Sequence, residues 1–122
     1  MKFLVSLHIN QAVLDGLTEA EQAALGDGVT AFMTAVKESG ELVAAQALAA
    51  PAEAKVVSVR GGRTVVTDGP FTEAKEFLGG YYLLECASPE RAVELAARIP
   101  DAAIEGLGVE VRQVVFSDDQ LG

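Results

Sequence analysis

The chain has one cysteine, one histidine, no tryptophan and only nine lysines and arginines among 122 residues. A lone cysteine cannot form an internal disulfide, and with a lone histidine it cannot supply the ligand spacings of structural or hydrolytic zinc sites. The sequence therefore predicts a protein of a reducing compartment, the cytoplasm, with no metal and no cofactor. Against the nine basic residues stand eighteen acidic ones, a net charge of -9, which opposes attraction to phosphate backbones and anionic lipid. Direct nucleic-acid binding is not expected. No apolar run reaches the roughly 18 residues of a membrane span, and the opening Lys2–Leu7 stretch is interrupted by His8 and Asn10 before a signal-peptide core develops. What is present is ordinary globular material: half the residues are hydrophobic and mean hydropathy is +0.29. A chain of this size buries roughly two-thirds of its unfolded surface, enough for one self-sufficient core.

Residues 2–9 alternate, with Phe3, Val5, Leu7 and Ile9 on one side and Leu4, Ser6 and His8 on the other, which predicts a strand. A loop is expected over 10–17. Thr18 and Glu21 then form a capping box that opens a helix to about Ser39, its stripe carried by Leu25, Val29, Phe32, Met33 and Val36. Gly26 and Gly28 each weaken a helix by about 1 kcal/mol relative to alanine, so its first half is expected to be irregular. Residues 42–49 read as a strand. Lys55–Arg60 and Arg63–Thr67 are valine-rich runs joined by Gly61-Gly62, a hairpin signature. Asp68-Gly69-Pro70-Phe71 predicts a turn, 73–78 a short helix stopped by Gly79-Gly80, and 81–86 a strand. Ser88-Pro89 caps a second helix with Ala92, Leu95, Ala96 and Ile99 inward, and a last strand covers 109–116. One domain thus spans 1–116, with a short acidic tail at 117–122.

This order predicts an α+β sandwich of ferredoxin-like type with an inserted β-hairpin. Two helices cover one sheet face, yet Tyr81–Leu84 and the Val109, Val111, Val114, Val115 and Phe116 set place apolar residues on both. A second copy is the natural cover, so a homodimer enclosing a cavity is expected, a dimeric α/β barrel.

The stretch Val66-Thr67-Asp68-Gly69-Pro70-Phe71-Thr72-Glu73-Ala74-Lys75-Glu76, followed by Leu78-Gly79-Gly80-Tyr81-Tyr82, resembles the YCII-related family in its DGPF-motif branch. The opening strand, Gly61-Gly62, Ala97-Arg98-Ile99-Pro100 and Val109-Glu110-Val111-Arg112 follow in family order, so the resemblance covers nearly the whole chain. Gln113 departs from the proline common in the closing motif. The resemblance implies a ferredoxin-like subunit pairing into a dimeric α/β barrel, without a settled activity. It also implies two directions: some relatives resemble dehydrochlorinases acting on aromatic rings, and many DGPF members are associated with extracytoplasmic-function sigma factors.

Histidine is the one side chain that ordinarily ionises near neutrality, and alternation places His8 beside Ser6 on the mixed face, so it is the candidate base; the competing reading is a structural histidine. Asp68 either orients that imidazole or organises its turn, with Gly69 supplying positive φ, Pro70 stiffness and Phe71 a peg into the core. Ser6, Phe71, Glu73 and Tyr82 are candidate substrate contacts, and only one of Tyr81 and Tyr82 faces the cavity. Arg60 and Arg63 at the hairpin tip read as solubilising charges and Cys86 as an inert core thiol. Gly61-Gly62 joins two strands, so no phosphate-binding loop is predicted.

Three functions follow as alternatives. The first is a cofactor-independent enzyme, lyase-like or dehydrochlorinase-like, moving a proton on a small cyclic or aromatic molecule in the dimer cavity with His8 and Asp68 as its dyad. The second is a noncatalytic ligand-binding or protein-interaction module linked to transcriptional regulation. The third is metal-free oxygen chemistry, with which one histidine is compatible.

Overall fold

The computed structural model describes residues 1–71 and 74–118. Among these residues, six strands and three α-helices follow one another as β1 (Lys2–Asn10), α1 (Gln11–Asp15), α2 (Glu19–Glu38), β2 (Leu42–Ala47), β3 (Lys55–Arg60), β4 (Arg63–Asp68), β5 (Glu76–Glu85), α3 (Pro89–Ala96) and β6 (Gly108–Gln113). Four strands form an antiparallel sheet in the order β2-β5-β1-β6, while β3 and β4 form a separate two-stranded sheet. This is the ferredoxin-like α+β arrangement with an inserted hairpin.

One sheet face carries the core. Phe3 and Val5 of β1 and Tyr82 and Leu84 of β5 meet Phe32 and Val36 of α2 and Ala92, Leu95 and Ala96 of α3 in a single buried cluster. The Phe32 and Tyr82 rings lie edge to face, 4.9 Å between centroids at 66°, an arrangement that aromatic quadrupoles favour. Helix starts are satisfied locally. Thr18 and Glu21 close the reciprocal capping box on α2, and Ser88 Oγ accepts from the Arg91 N–H at the start of α3. Arg91 in turn donates two hydrogen bonds of 2.9 Å to the carboxylate of Glu41, tying α3 to the entry of β2.

The structure corrects several expectations. Residues 11–15 are helical rather than loop, because the Asn10 side chain accepts from the Ala12 N–H and Gln11 bonds Asp15 one turn on. Helix α2 is continuous through both glycines. Gly28 has a packing reason, since a Cβ there would lie 2.7 Å from Cγ of Pro100, whereas Gly26 faces open space. The helix expected over 73–78 is strand from Glu76 onward; Thr72 and Glu73 lie outside the described residues. β1 is nine residues long and offers a backbone edge that Phe77 and Leu78 pair with, opposite Ile9 and His8. Gly79-Gly80 is therefore no helix stop. It lies inside β5 at a register shift, where Leu7 faces Gly80 and His8 faces Leu78, and a Cβ on Gly80 would come 2.7 Å from the Gln46 carbonyl of β2. The last strand ends at Gln113, leaving Val115 and Phe116 exposed.

Candidate functional site

Strand alternation and the observed registers assign each side chain to a face. Opposite the core, β1 and β5 place Leu4 beside Leu83, Ser6 beside Tyr81 and His8 beside Leu78; on the other flank β6 sets Arg112 against Leu4, Glu110 against Ser6 and Gly108 against His8. Tyr81 is oriented by its hydroxyl, which donates to Gln46 Oε1 at 2.7 Å. Glu110 and Arg112 lie 4.0 Å apart along the strand edge. Ser6 is 5% exposed within this surface.

His8 is the chemically notable member. Its Nε2 is shielded from solvent and has no hydrogen-bond partner among the described residues. Buried polar atoms are nearly always paired, so a lone one marks His8 as a candidate functional group. Gly108 lies beside it on β6, where a Cβ would make ordinary contact with the His8 Cβ at 3.7 Å.

The structure does not bring His8 and Asp68 together within the chain. His8 belongs to the four-stranded sheet; Asp68 ends the two-stranded one, is 81% exposed at its side chain and is ion-paired with Lys55 across the register. The turn after it also differs in cause from the expectation. Gly69 does not have positive φ, and the Gly69–Pro70 peptide is cis. The Gly69 N–H donates to the Ala54 carbonyl at 2.7 Å, and a Cβ on Gly69 would lie 2.7 Å from that of Ala54. Glycine is thus required by close approach of two backbones. Phe71 is not pegged into the core: it is 86% exposed, at the margin of a surface hollow that Pro51, Pro70 and Leu78 also line. Tyr82 faces the helices, so the tyrosine on His8's side of the sheet is Tyr81. Glu73 lies outside the described residues.

Sequence reasoning missed Tyr81, Glu110 and Arg112 as neighbours of Ser6 and His8, because strand pairing, not spacing along the chain, makes them so. Cys86 is buried, and burial pushes its thiol up from the usual range, as an unreactive core thiol requires. Among the described residues no helix is long and apolar enough to cross a membrane.

Comparison with known proteins agrees with this architecture. The YCII-related domain matches residues 1–117. An uncharacterised protein of Rhizobium meliloti (strain 1021) is 30% identical over 116 residues, covering 95% of this chain and 94% of the relative. A match over essentially the full domain, on a ferredoxin-like sheet whose opening strand carries the single histidine, identifies the chain as a member of the YCII-related family.

Proposed function

We propose that the sheet face bearing His8 is closed by a second copy of the chain, and that the enclosed cavity binds a small cyclic or aromatic molecule on which His8 moves a proton. The observation that carries this reading is the solvent-shielded, unpartnered His8 Nε2 on the sheet face opposite the core. An imidazole nitrogen that no protein group engages can exchange a proton with a ligand once the side chains covering it part to admit one. Ser6 and Tyr81 are the neighbouring hydroxyls, with Tyr81 fixed by Gln46. Leu4, Leu83 and Leu78 supply apolar surface for the second copy and for a ring-shaped ligand. Asp68 enters as the anchor of the hairpin base through Lys55, and the imidazole works without it.

The test uses the single histidine as its own reporter. Light scattering on the full chain should give twice the 12.7 kDa chain mass. The His8 ring resonances, followed across about pH 5 to 9, should shift when phenol is added, and the titration in Asp68→Asn should match wild type. A monomer in solution, or a ring that titrates identically with and without phenol, overturns the reading. In that event a noncatalytic interaction module becomes the better account of the family fold.

A further inference from the structure

The core side of the sheet is not filled along its whole length. Toward the end of β1 and the start of β5, Gly79, Gly80, Ala45 and Ala47 put small residues beneath α2, and a cavity of about 430 Å³ remains between the strands and the helix. Its cause is geometric. The β1–β5 register shift needs small residues at 79 and 80, since a Cβ on Gly79 would collide with Ile9 and one on Gly80 with the Gln46 carbonyl. Leu14 of α1 and Leu25, Val29 and Met33 of α2 wall the space with hydrocarbon.

Gln46 and Tyr81, which also line the space, are hydrogen-bonded to each other, and two further polar side chains break the apolar lining. Tyr82 is 5% exposed and its hydroxyl makes no hydrogen bond to another described residue. Asp101, on the 3₁₀ turn Pro100–Ala103, is 6% exposed and has no ion pair among the described residues, and its carboxylate is supported by a hydrogen bond from its own backbone. Burial pushes the Asp101 carboxyl up from its ordinary range, and burial followed by the Asp101 charge pushes the Tyr82 hydroxyl up likewise. Burial thus keeps the Tyr82 hydroxyl protonated, a donor without an acceptor among the described residues. No lysine, arginine or histidine lines the cavity, so nothing there compensates an anionic ligand.

We infer that this helix-side pocket is a binding site for a small uncharged ring compound bearing one carbonyl oxygen, the ring against Leu25, Val29 and Met33 and the oxygen accepting a hydrogen bond from the Tyr82 hydroxyl. A carbonyl oxygen has lone pairs and no proton, which complements a hydroxyl donor that lacks an acceptor. The apolar walls suit the ring, as small-molecule pockets are mostly hydrocarbon with a few orienting polar groups. The site lies across the sheet from His8 and is independent of the reading given above.

The experiment compares 1-tetralone with tetralin, the same ring system without the oxygen, on the methyl-labelled full chain. Both should move the methyl resonances of Leu14, Leu25, Val29 and Met33, with the ketone binding about tenfold more tightly. In Tyr82→Phe that preference should fall to about twofold or less with tetralin affinity retained. Leu25→Trp, on a partly exposed helix position, should block both probes; a thermal melt of each variant confirms folding. Equal binding of ketone and hydrocarbon by wild type overturns the proposal. So does a ketone that leaves these methyls unmoved, or that perturbs only the His8 ring.

Discussion

Val5 in β1 is fully buried, whereas Val57 and Val66, paired across the hairpin β3–β4, are 64% and 57% exposed. The two sheets are built from β-branched residues by the same alternation, and the hairpin's register is unbroken. What differs is the layer above them. α2 and α3 lie on one face of the four-stranded sheet, while none of the described helices contributes a buried residue against the hairpin. Period-two patterning therefore reports strand conformation; burial is decided by what the rest of the chain, or another chain, lays against it. An isolated two-stranded hairpin is marginal in water. This one is held by positive-φ glycines at 61 and 62, by the Lys55–Asp68 ion pair and by the Gly69 contact to Ala54.

The largest effect that tests the contrast is expected at Leu84, which is fully buried between β5's neighbours and the helices. Leu84→Ala removes most of a core side chain and leaves a cavity, so chemical denaturation should show a loss of about 2–5 kcal/mol. A loss under about 1 kcal/mol would mean that the helix layer packs loosely over the sheet.

The two glycines of α2 sharpen the same lesson within one helix. Gly26→Ala enters open space and should raise stability by about 0.5–1 kcal/mol through helix propensity. Gly28→Ala meets the Pro100 ring and should lower it by roughly 1 kcal/mol or more, because the 3₁₀ turn must move. Equal gains in thermal midpoint at both sites would show that the Pro100 contact yields freely. The sequence could not separate these glycines, since both stand in the same helical pattern and only a contact from 72 residues downstream distinguishes them.

Much of the fold was legible for a physical reason: capping boxes, amphipathic stripes and Gly-Gly turns are local, and the structure shows Thr18/Glu21, Ser88 and Gly61-Gly62 acting locally. The candidate sites were less legible because they are made by pairing. The Gly79-Gly80 pair reads as a breaker until β1 supplies a partner for Phe77 and Leu78. Tyr82 and Tyr81 exchange faces with a one-residue error in register. Asp68 and His8 are joined in the sequence by chemical affinity and by the family resemblance, and the hairpin carries Asp68 onto another sheet. Asp101 had a signal that went unused: an acid between Pro100 and the apolar Ala102-Ala103-Ile104 is a charge placed in hydrocarbon surroundings.

That buried acid predicts a pH dependence of definite sign. Because the folded state raises the Asp101 pKa, the folded chain keeps a proton that the unfolded chain has lost between the ordinary and the raised value. Stability from this group therefore falls as pH rises through that window, and the deficit persists above it. Glu41 acts oppositely: the Arg91 hydrogen bond lowers its pKa, and its contribution is lost as pH falls. Comparing variant with wild type isolates the first effect. Asp101→Asn cannot ionise, so its urea midpoint should exceed wild type at about pH 8 and lose that advantage at about pH 3. An advantage that is the same at both pH values would show that ionisation of Asp101 is not its source.

The smallest effect is the most telling about assembly. In the single chain Val57 is mostly solvent-exposed, so Val57→Ala should change stability by less than about 0.5 kcal/mol, as surface substitutions do. Measured at concentrations low enough to keep chains apart, that near-null result is expected. At concentrations where a second copy associates, the outcome depends on whether the hairpin stripe of Val57, Val59 and Val66 joins the covered surface. If it does, Val57→Ala should lower the midpoint only in the concentrated sample, because association stabilises the folded state by mass action and the variant weakens that association. The proposed dimer then extends from the His8 face onto the hairpin. If the effect stays negligible at every concentration while wild type is dimeric, the hairpin stands outside the interface and the second copy covers the four-stranded sheet alone.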